Sequence, residues 1–329
     1  MNFTFMNFIS PKNPKVSVII VSFNSGRFVK NTMDSILAQT SNSLEVIVVD
    51  GASTDETLSV LKGYNGIQVV SEPDSGYLEA FRKGLKLARG KYIIQCAISD
   101  GLLEKTWIEE CTKIFDSNKD VSLVWGLPQY MSEDGVLGDV SYPQFYHRDP
   151  PQKEDFFYYW LSTSFWLPEG NFVVRKKIME ECFPRFGLDS LNIEPWLEFN
   201  YRFNIAGYIP YFLRIVANFG RIHKNQLTSK EKENGIGFKK FHIYIEQVKL
   251  YRKKIFLNPK LHHFRDSNGN ILDINFSRLL FFSKEILPPR KILKNLISLI
   301  IPIFAHFPYF ENVIPKSLLT NLRKFYREL

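Results

Sequence analysis

Carboxylates, hydroxyls and amides recur at four places where an apolar run gives way to a helical pattern. Asn24 follows Val16 to Ser22, Asp50-Gly51-Ala52-Ser53 closes the run from Leu44, Glu72-Pro73-Asp74-Ser75-Gly76 follows Gln68 to Ser71, and Ser99-Asp100-Gly101 follows Tyr92 to Ala97. Taken singly, each group reads as a loop or a helix cap, because these residue types are the usual turn formers. Taken together they read as a site. In an open parallel sheet, loops converge at the carboxyl ends of the strands and helix N-termini aim their free N–H groups into the crevice there. The chemistry expected at such an edge is recognition of a polar ligand.

The elements that must hold these residues follow from the pattern between them. The four runs are short and rich in Val and Ile, and helical stretches separate them, which is the βαβ rhythm of a parallel sheet with both faces covered. In Ser53-Thr54-Asp55-Glu56 the Ser and Glu have capping-box spacing, and Gly90 falls where the helix through Phe81, Leu85 and Ala88 must stop. Further on, Arg175 to Glu181 and Glu194 to Ala206 read as helices, and Ile209 to Val216 as a strand. Before them, Leu123 to Asn171 is crowded with aromatics, among them Trp125, Tyr142, Phe145, Tyr146, Trp160 and Trp166. Buried rings of a core and a groove that stacks on sugar faces are both open readings of that segment.

With 329 residues, 45% of them hydrophobic and 15% aromatic, the chain can bury a large core, which excludes disorder, collagen and small disulfide scaffolds. Cys96, Cys111 and Cys182 are odd in number and form no CxxC pair, so a reduced intracellular protein is expected, and Met1 to Ser10 lacks the pattern of a signal peptide. Met1 to Thr228 holds 23 basic and 26 acidic residues, whereas Ser229 to Leu329 holds 19 and 8. All the excess positive charge therefore sits in the last third. There Phe238 to Lys254 is helical and basic, and Leu296 to Phe310 is an apolar stretch broken by Pro302 and Pro308. That stretch is shorter than the ~20 residues a spanning helix needs, so the segment is expected to lie on an anionic membrane surface or to pack on the body. Nucleic acid is not expected as a partner, because neither an RNP motif nor a helix-turn-helix accompanies the charge.

The motifs Val16-Ser-Val-Ile-Ile-Val-Ser-Phe-Asn24, Val48-Val-Asp-Gly-Ala-Ser-Thr-Asp55, Ser71-Glu-Pro-Asp-Ser-Gly76 and Gly90-Lys-Tyr-Ile93 leading to Ser99-Asp100 resemble, in order and spacing, the family 2 glycosyltransferases of the GT-A fold. The resemblance is closest over Lys15 to Asp100, extends to about Thr228 and does not reach the basic tail. It implies an α/β fold with a Rossmann-like, mostly parallel sheet over residues 15–228, the glycosyltransferase domain, with a nucleotide-sugar half (15–100) and an acceptor half (101–228); residues 1–14 are left as a tail, and charge and pattern make 229–329 a basic, largely helical extension. The activity implied is transfer of a sugar, with inversion, from a nucleotide diphosphate, UDP being favoured, to a hydroxyl of a glycan or lipid-linked acceptor in surface polysaccharide synthesis. The basic tail, by its charge, sets the expected place at the inner face of the cell membrane.

The same resemblance distributes roles. Ser22, Asn24 and Asp50 fall at the base and ribose end, with Glu72, Asp74, Gly76, Lys83 and Ser99 on the donor sugar and diphosphate side. Asp100 is the expected ligand of Mn²⁺ or Mg²⁺, which needs few protein carboxylates when phosphate oxygens supply the rest. His223, in an Arg-x-His segment, is expected to join it through a neutral nitrogen. Ser99 stands where the family often has a further carboxylate. The proton-accepting Asp expected at the start of the helix before Gly207 is replaced by Trp196. One inserted residue brings Glu194 into that place, ahead of Pro195, and Glu198 is the rival one turn on. These departures keep open an alternative: a nucleotide-sugar-binding protein with impaired catalysis.

Overall fold

The computed structural model describes residues 9–184, 190, 191, 193–224, 226, 236–257, 263–265, 270–275 and 277–279. In chain order the first half contains β1 (Val16–Ser22), α1 (Gly26–Leu37), β2 (Leu44–Asp50), α2 (Thr57–Leu61), β3 (Gln68–Ser71), α3 (Tyr77–Leu87), β4 (Tyr92–Ala97), β5 (Gly101–Leu102) and α4 (Trp107–Ser117). There follow β6 (Val121–Met131), β7 (Leu137–Val140), α5 (Gln144–His147), α6 (Glu154–Thr163), β8 (Phe172–Arg175), α7 (Lys176–Cys182), α8 (Pro195–Ile205), β9 (Ile209–Arg221), α9 (Ile236–Leu257), β10 (His263–Arg265) and β11 (Ile271–Asp273).

One sheet runs in the order β3-β2-β1-β4-β8-β6-β9-β5, with β7 hairpinned onto β6. The four N-terminal strands are mutually parallel, β8 is antiparallel to both of its neighbours, and β6 and β9 run parallel through register shifts. Side-chain alternation decides which helices cover which face. Val16, Val18 and Ile20 of β1 enter one core with Val29, Met33 and Ile36 of α1 and Trp107 and Phe115 of α4. Ile19 enters the other, with Phe81 and Leu85 of α3 and the aromatic residues of α6 and α8. Residues buried on both faces explain why these strands read as unbroken apolar runs.

Two local expectations are corrected. The start of α2 is not a capping box: Ser53 bonds Asp50, and it is Asp55 that accepts the Thr57 N–H at 2.9 Å and the Gly26 N–H at 3.0 Å, tying α2 to α1. Gly90 does not cap α3, which ends at Leu87. A Cβ at Gly90 would stand 2.6 Å from the Ser17 backbone nitrogen, so close approach to β1 is what requires glycine.

The aromatic segment is mainly core. Trp125, Phe145, Phe156, Tyr158, Trp160 and Phe165 are buried, and only Tyr130 and Tyr146 expose large parts of their rings. The described part of the basic extension packs on this core. Tyr244, Val248, Tyr251 and Ile255 recur on one face of α9 and are buried, and the Tyr244 hydroxyl accepts from the Trp160 indole at 2.9 Å and donates to the Phe165 carbonyl at 2.8 Å. The apolar stretch 296–310 and the basic residues around it lie outside the described residues.

Candidate functional site

The carboxyl ends of β1 and β2 build one end of a crevice. Asp50 is wholly buried, and its oxygens accept from Ser53 N–H (2.8 Å), Ser53 Oγ (2.5 Å) and Ser71 Oγ (2.8 Å). Expected to meet a nucleotide base, it joins the loop after β2 to the end of β3 through these bonds. Asn24, exposed at φ +44°, crosses between loops: its N–H donates to Ser53 Oγ at 2.7 Å and its Oδ1 accepts from Thr54 N–H at 2.8 Å. The Ser22 hydroxyl is buried without a hydrogen-bond partner. Phe23 between them was not singled out by its sequence context, and its ring is 63% exposed. Gly51 forms the floor between this ring and Asp74: a Cβ there would lie 3.3 Å from Phe23 and 3.1 Å from Asp74 Oδ2. The slot has an apolar wall and an acceptor wall, as a base ring with N–H edges needs.

Beside it, the loop from Glu72 to Gly76 is braced on α3. Lys83 pairs with Glu72 (2.9 Å) and Glu79 (3.1 Å) and donates to the Pro73 carbonyl, while Asp74 Oδ1 accepts from the Gly76 N–H at 2.8 Å. The lysine expected on the diphosphate thus has its charge committed to two carboxylates, Glu72 first, which hold its amine above the usual value. Gly76, at φ +117°, opens α3.

The loop after β4 carries Ser99 and Asp100. Asp100 Oδ1 accepts from the Arg221 N–H at 2.9 Å and from Ser99 Oγ at 3.3 Å. Burial raises its carboxyl to about 6, against the opposing pull of these bonds and of the Arg221 charge. Arg221, the last residue of β9, is a clasp that sequence reading noticed only as the first letter of Arg-x-His. Its guanidinium donates to Ser99 O, Ser132 O, Glu133 O and Asn31 Oδ1, and lies 5.0 Å from the Phe28 ring centre. It therefore fastens the Asp100 loop to α1 and to the β6–β7 turn, where Arg27, Phe28, Asn31, Glu133 and Arg221 line a cavity of about 400 Å³. His223 stacks obliquely on Phe28 at 4.8 Å, and burial, followed by the charge of Arg27, keeps its imidazole below the ordinary value and so neutral at pH 7. Among the described residues no three His, Cys, Asp or Glu side chains converge as a metal cage. One carboxylate and one neutral imidazole suit only a divalent cation that takes its other ligands from phosphate and water.

At the far side stands the N-terminus of α8. Glu194 is its cap: Oε2 accepts from the Trp196 N–H at 2.8 Å and the Leu197 N–H at 3.0 Å, and Pro195 takes the first helical position. Trp196 points inward, packing on Phe81, Phe183 and Phe199, with its indole N–H on the Tyr77 hydroxyl at 2.9 Å. Glu198 is 1% exposed, and both its oxygens are engaged, by Arg202 at 2.8 Å and by Ser190 Oγ and the Leu191 N–H at 3.1 Å each. Burial and these partners make it a brace for the loop before α8, so the rival role at the reacting oxygen is corrected. Glu169, in the turn before β8, was not anticipated: the charges of Glu194 and Asp100 both reach its carboxyl.

Comparison with known proteins follows this geometry. The sequence profile described as glycosyl transferase family 2 matches residues 17–183, half of the chain. A chondroitin synthase of Pasteurella multocida (strain Pm70) is 32% identical over 138 residues, covering 40% of this chain but 14% of the synthase. An uncharacterized glycosyltransferase of Nostoc sp. is 24% identical over 192 residues, covering 56% of this chain and 57% of that protein. The chain thus matches well under two thirds of the length of these relatives. Among solved structures, S. aureus TarS 1-349 in complex with UDP-GlcNAc superposes with a TM-score of 0.53 at 15% identity, covering 95% of this chain and 88% of TarS. The mannosyltransferase PcManGT from Pyrobaculum calidifontis, in complex with GDP-Man and Mn²⁺, gives 0.52 at 14%, covering 97% and 86%. At such identities the likeness establishes the fold, the mixed α/β GT-A arrangement that the motifs implied. Profile, relatives and fold agree, and the chain belongs to glycosyl transferase family 2.

Proposed function

We propose that this protein transfers a sugar, with inversion, from a nucleotide diphosphate to a hydroxyl of a glycan or lipid-linked acceptor. The observation that carries the reading is the convergence, at one sheet edge, of three chemically different places: the Phe23–Gly51–Asp74 slot, the Asp100 loop with Arg221 and His223, and the Glu194 cap of α8. The donor half, 15–100, supplies the first. The slot would take the base, Phe23 against its ring and Asp74 toward its N–H edge. Asp100 and His223 would hold Mn²⁺ or Mg²⁺, which when bound offsets the charge developing on the diphosphate. Glu194, fixed by two helix N–H groups, would take the proton of the attacking hydroxyl. Named ligands of the two solved relatives, UDP-GlcNAc and GDP-Man, support a nucleotide sugar as donor without choosing the base. Chondroitin synthase among the relatives supports a polysaccharide product. The tail beyond residue 280, by its charge, would keep the enzyme at an anionic membrane.

The test is calorimetric titration with UDP and GDP, with and without Mn²⁺, followed by release of nucleoside diphosphate from UDP-GlcNAc and GDP-Man. Metal-dependent binding with release is expected. Binding with no release identifies the impaired nucleotide-sugar binder, and no binding to either nucleotide overturns the reading. In Asp100→Ala, metal-dependent binding is expected to vanish with Tm nearly unchanged, since a loop carboxylate adds little to the core.

A further inference from the structure

Glu169 belongs to none of the strand-end motifs, yet the fold delivers it to the same crevice. It sits in a tight turn in which the Asn171 N–H reaches the Pro168 carbonyl at 3.4 Å. Gly170 adopts φ +68°, a conformation that favours glycine, and its carbonyl accepts from Asn218 of β9 at 3.3 Å. The fully buried Asn171 donates to the Gly126 carbonyl of β6. Leu167, Pro168 and Asn171 are buried, and Glu169 is the one exposed residue of the turn. A rigid, anchored turn thus holds out a single carboxylate.

Its neighbours fix where that carboxylate lies. Asn218, under the turn, pairs with Leu102, just past the Asp100 loop. The turn is tied to α8, where the Asn200 side chain accepts from the Leu167 N–H and donates to its carbonyl and Trp196 packs on Phe172, and Glu194 is near enough for its charge and that of Glu169 to oppose each other. Tyr77, at the floor, feels both glutamates. Glu169 is therefore solvent-accessible but ringed by protein, between the Asp100 loop and the α8 cap, where an acceptor must enter if Glu194 is to reach its hydroxyl.

We propose that Glu169 is an acceptor-binding residue of this site, presenting its carboxyl to a second hydroxyl of the sugar or polyol beside the one that Glu194 deprotonates. This rests on the glycosyl-transfer reading. Burial, then the charges of Glu194 and Asp100, push the Glu169 carboxyl well above the usual carboxylate range, while the helix N–H groups favour the anion at Glu194. A carboxyl held out on this turn can accept from a second hydroxyl, or donate to it when protonated, while Glu194 faces the first. In the transfer the acceptor oxygen bonds the anomeric carbon and its proton passes to Glu194. The carbon–oxygen bond to the diphosphate breaks, with its electron pair leaving on the nucleotide. Glu169 exchanges no proton in this step.

The experiment compares wild type, Glu169→Ala, Glu169→Gln and Glu194→Gln. Release of nucleoside diphosphate is followed from UDP-GlcNAc and GDP-Man with Mn²⁺, and p-nitrophenyl glycosides serve as acceptors over water. Calorimetry gives UDP and GDP affinities. Glu169→Ala is expected to bind nucleotide within about twofold of wild type, yet need about tenfold more glycoside for half-maximal release, the loss of one good hydrogen bond. Glu169→Gln, which still offers an N–H donor, should recover most of this. Where no glycoside outruns water in wild type, the site holds no second hydroxyl of a sugar acceptor and the proposal falls. Unchanged acceptor dependence in Glu169→Ala, or nucleotide binding weakened along with it, overturns the proposal alone. A wild type that binds neither nucleotide removes the glycosyl-transfer reading as well.

Discussion

Two glutamates four residues apart on one helix have opposite surroundings, and those surroundings separate their roles. Glu194 caps α8 with one oxygen and borders the crevice, whereas Glu198 is buried against Arg202, Ser190 and the Leu191 N–H. In Glu194→Gln the amide oxygen can still cap the helix but cannot take a proton. Turnover should fall by about 10²-fold with nucleotide affinity and Tm close to wild type. Glu198→Gln keeps the volume but loses the charge that three partners use, and should cost about 2 kcal/mol of stability. Thermal unfolding alongside nucleotide release distinguishes them, and a Glu198→Gln variant that is fully stable yet inactive would reverse the two roles. At this scale the sequence pointed to the start of α8, which Glu194 does cap, but not to its neighbours. Phe23 and Glu169 carry no spacing signature: an aromatic after a strand reads as core, and a lone glutamate in an aromatic-rich segment reads as surface. Only contacts between residues far apart in the chain show otherwise.

Elements were more legible than side chains, for a physical reason. β1, β2 and β4 are buried on both faces and so are mainly apolar, while the largely exposed edge strand β3 shows itself by its short β-branched run, and the polar residues that follow these four strands had to fall at one edge. What the pattern cannot show is which polar group serves the ligand and which serves the frame. Asp50 and Lys83 stand at that edge bonded to the frame itself. Glu45 of β2, buried at 3% exposure, is bonded to the frame too: it accepts from Ser17 Oγ (2.6 Å), the Arg89 N–H (2.6 Å) and the Arg89 guanidinium (2.8 Å) and so joins β1, β2 and the end of α3. Burial alone would raise its carboxyl, but these bonds outweigh it and the net shift is downward. A carboxyl with a folded pKa below the unfolded value adds stability that is complete above the unfolded value, about 4.5, and is lost as the pH falls toward the folded one. Glu45→Gln should therefore lower stability by about 2 kcal/mol at pH 7 and by much less at pH 3. Denaturant unfolding at the two pH values checks this, and an equal loss at both would show that the carboxylate charge is not what joins the strands.

The whole molecule does not divide at Thr228 as its charge does. Tyr244, Val248, Tyr251 and Ile255 of α9, with Phe264 and Ile274 beyond it, share one core with Trp160, Tyr158 and Phe199, so the first part of the basic extension is structural. Packing of this kind is legible in the sequence only as an amphipathic helix, and a membrane surface could have used the same face. No described helix is long and apolar enough to cross a membrane. The adhesion proposed above is assigned to residues 280–329, which hold eight basic and three acidic side chains around the apolar stretch 296–310. Each lysine or arginine near an anionic surface adds on the order of 1 kcal/mol, weakened by salt, and apolar burial adds to it. Two truncations separate the terms. A chain ending at Thr228 strips α9 from the core and should aggregate or unfold, because Trp160 and Phe165 lose their cover and their hydrogen-bonded tyrosine. A chain ending at Leu280 keeps that cover and should fold and bind UDP or GDP like the full chain, while losing its preference for phosphatidylserine vesicles over phosphatidylcholine ones. The full chain should sediment with the anionic vesicles at low salt and release at 0.5 M NaCl. Equal sedimentation of the full chain and the chain ending at Leu280 with anionic vesicles would remove the membrane role from the tail and leave the body's own surface to account for it.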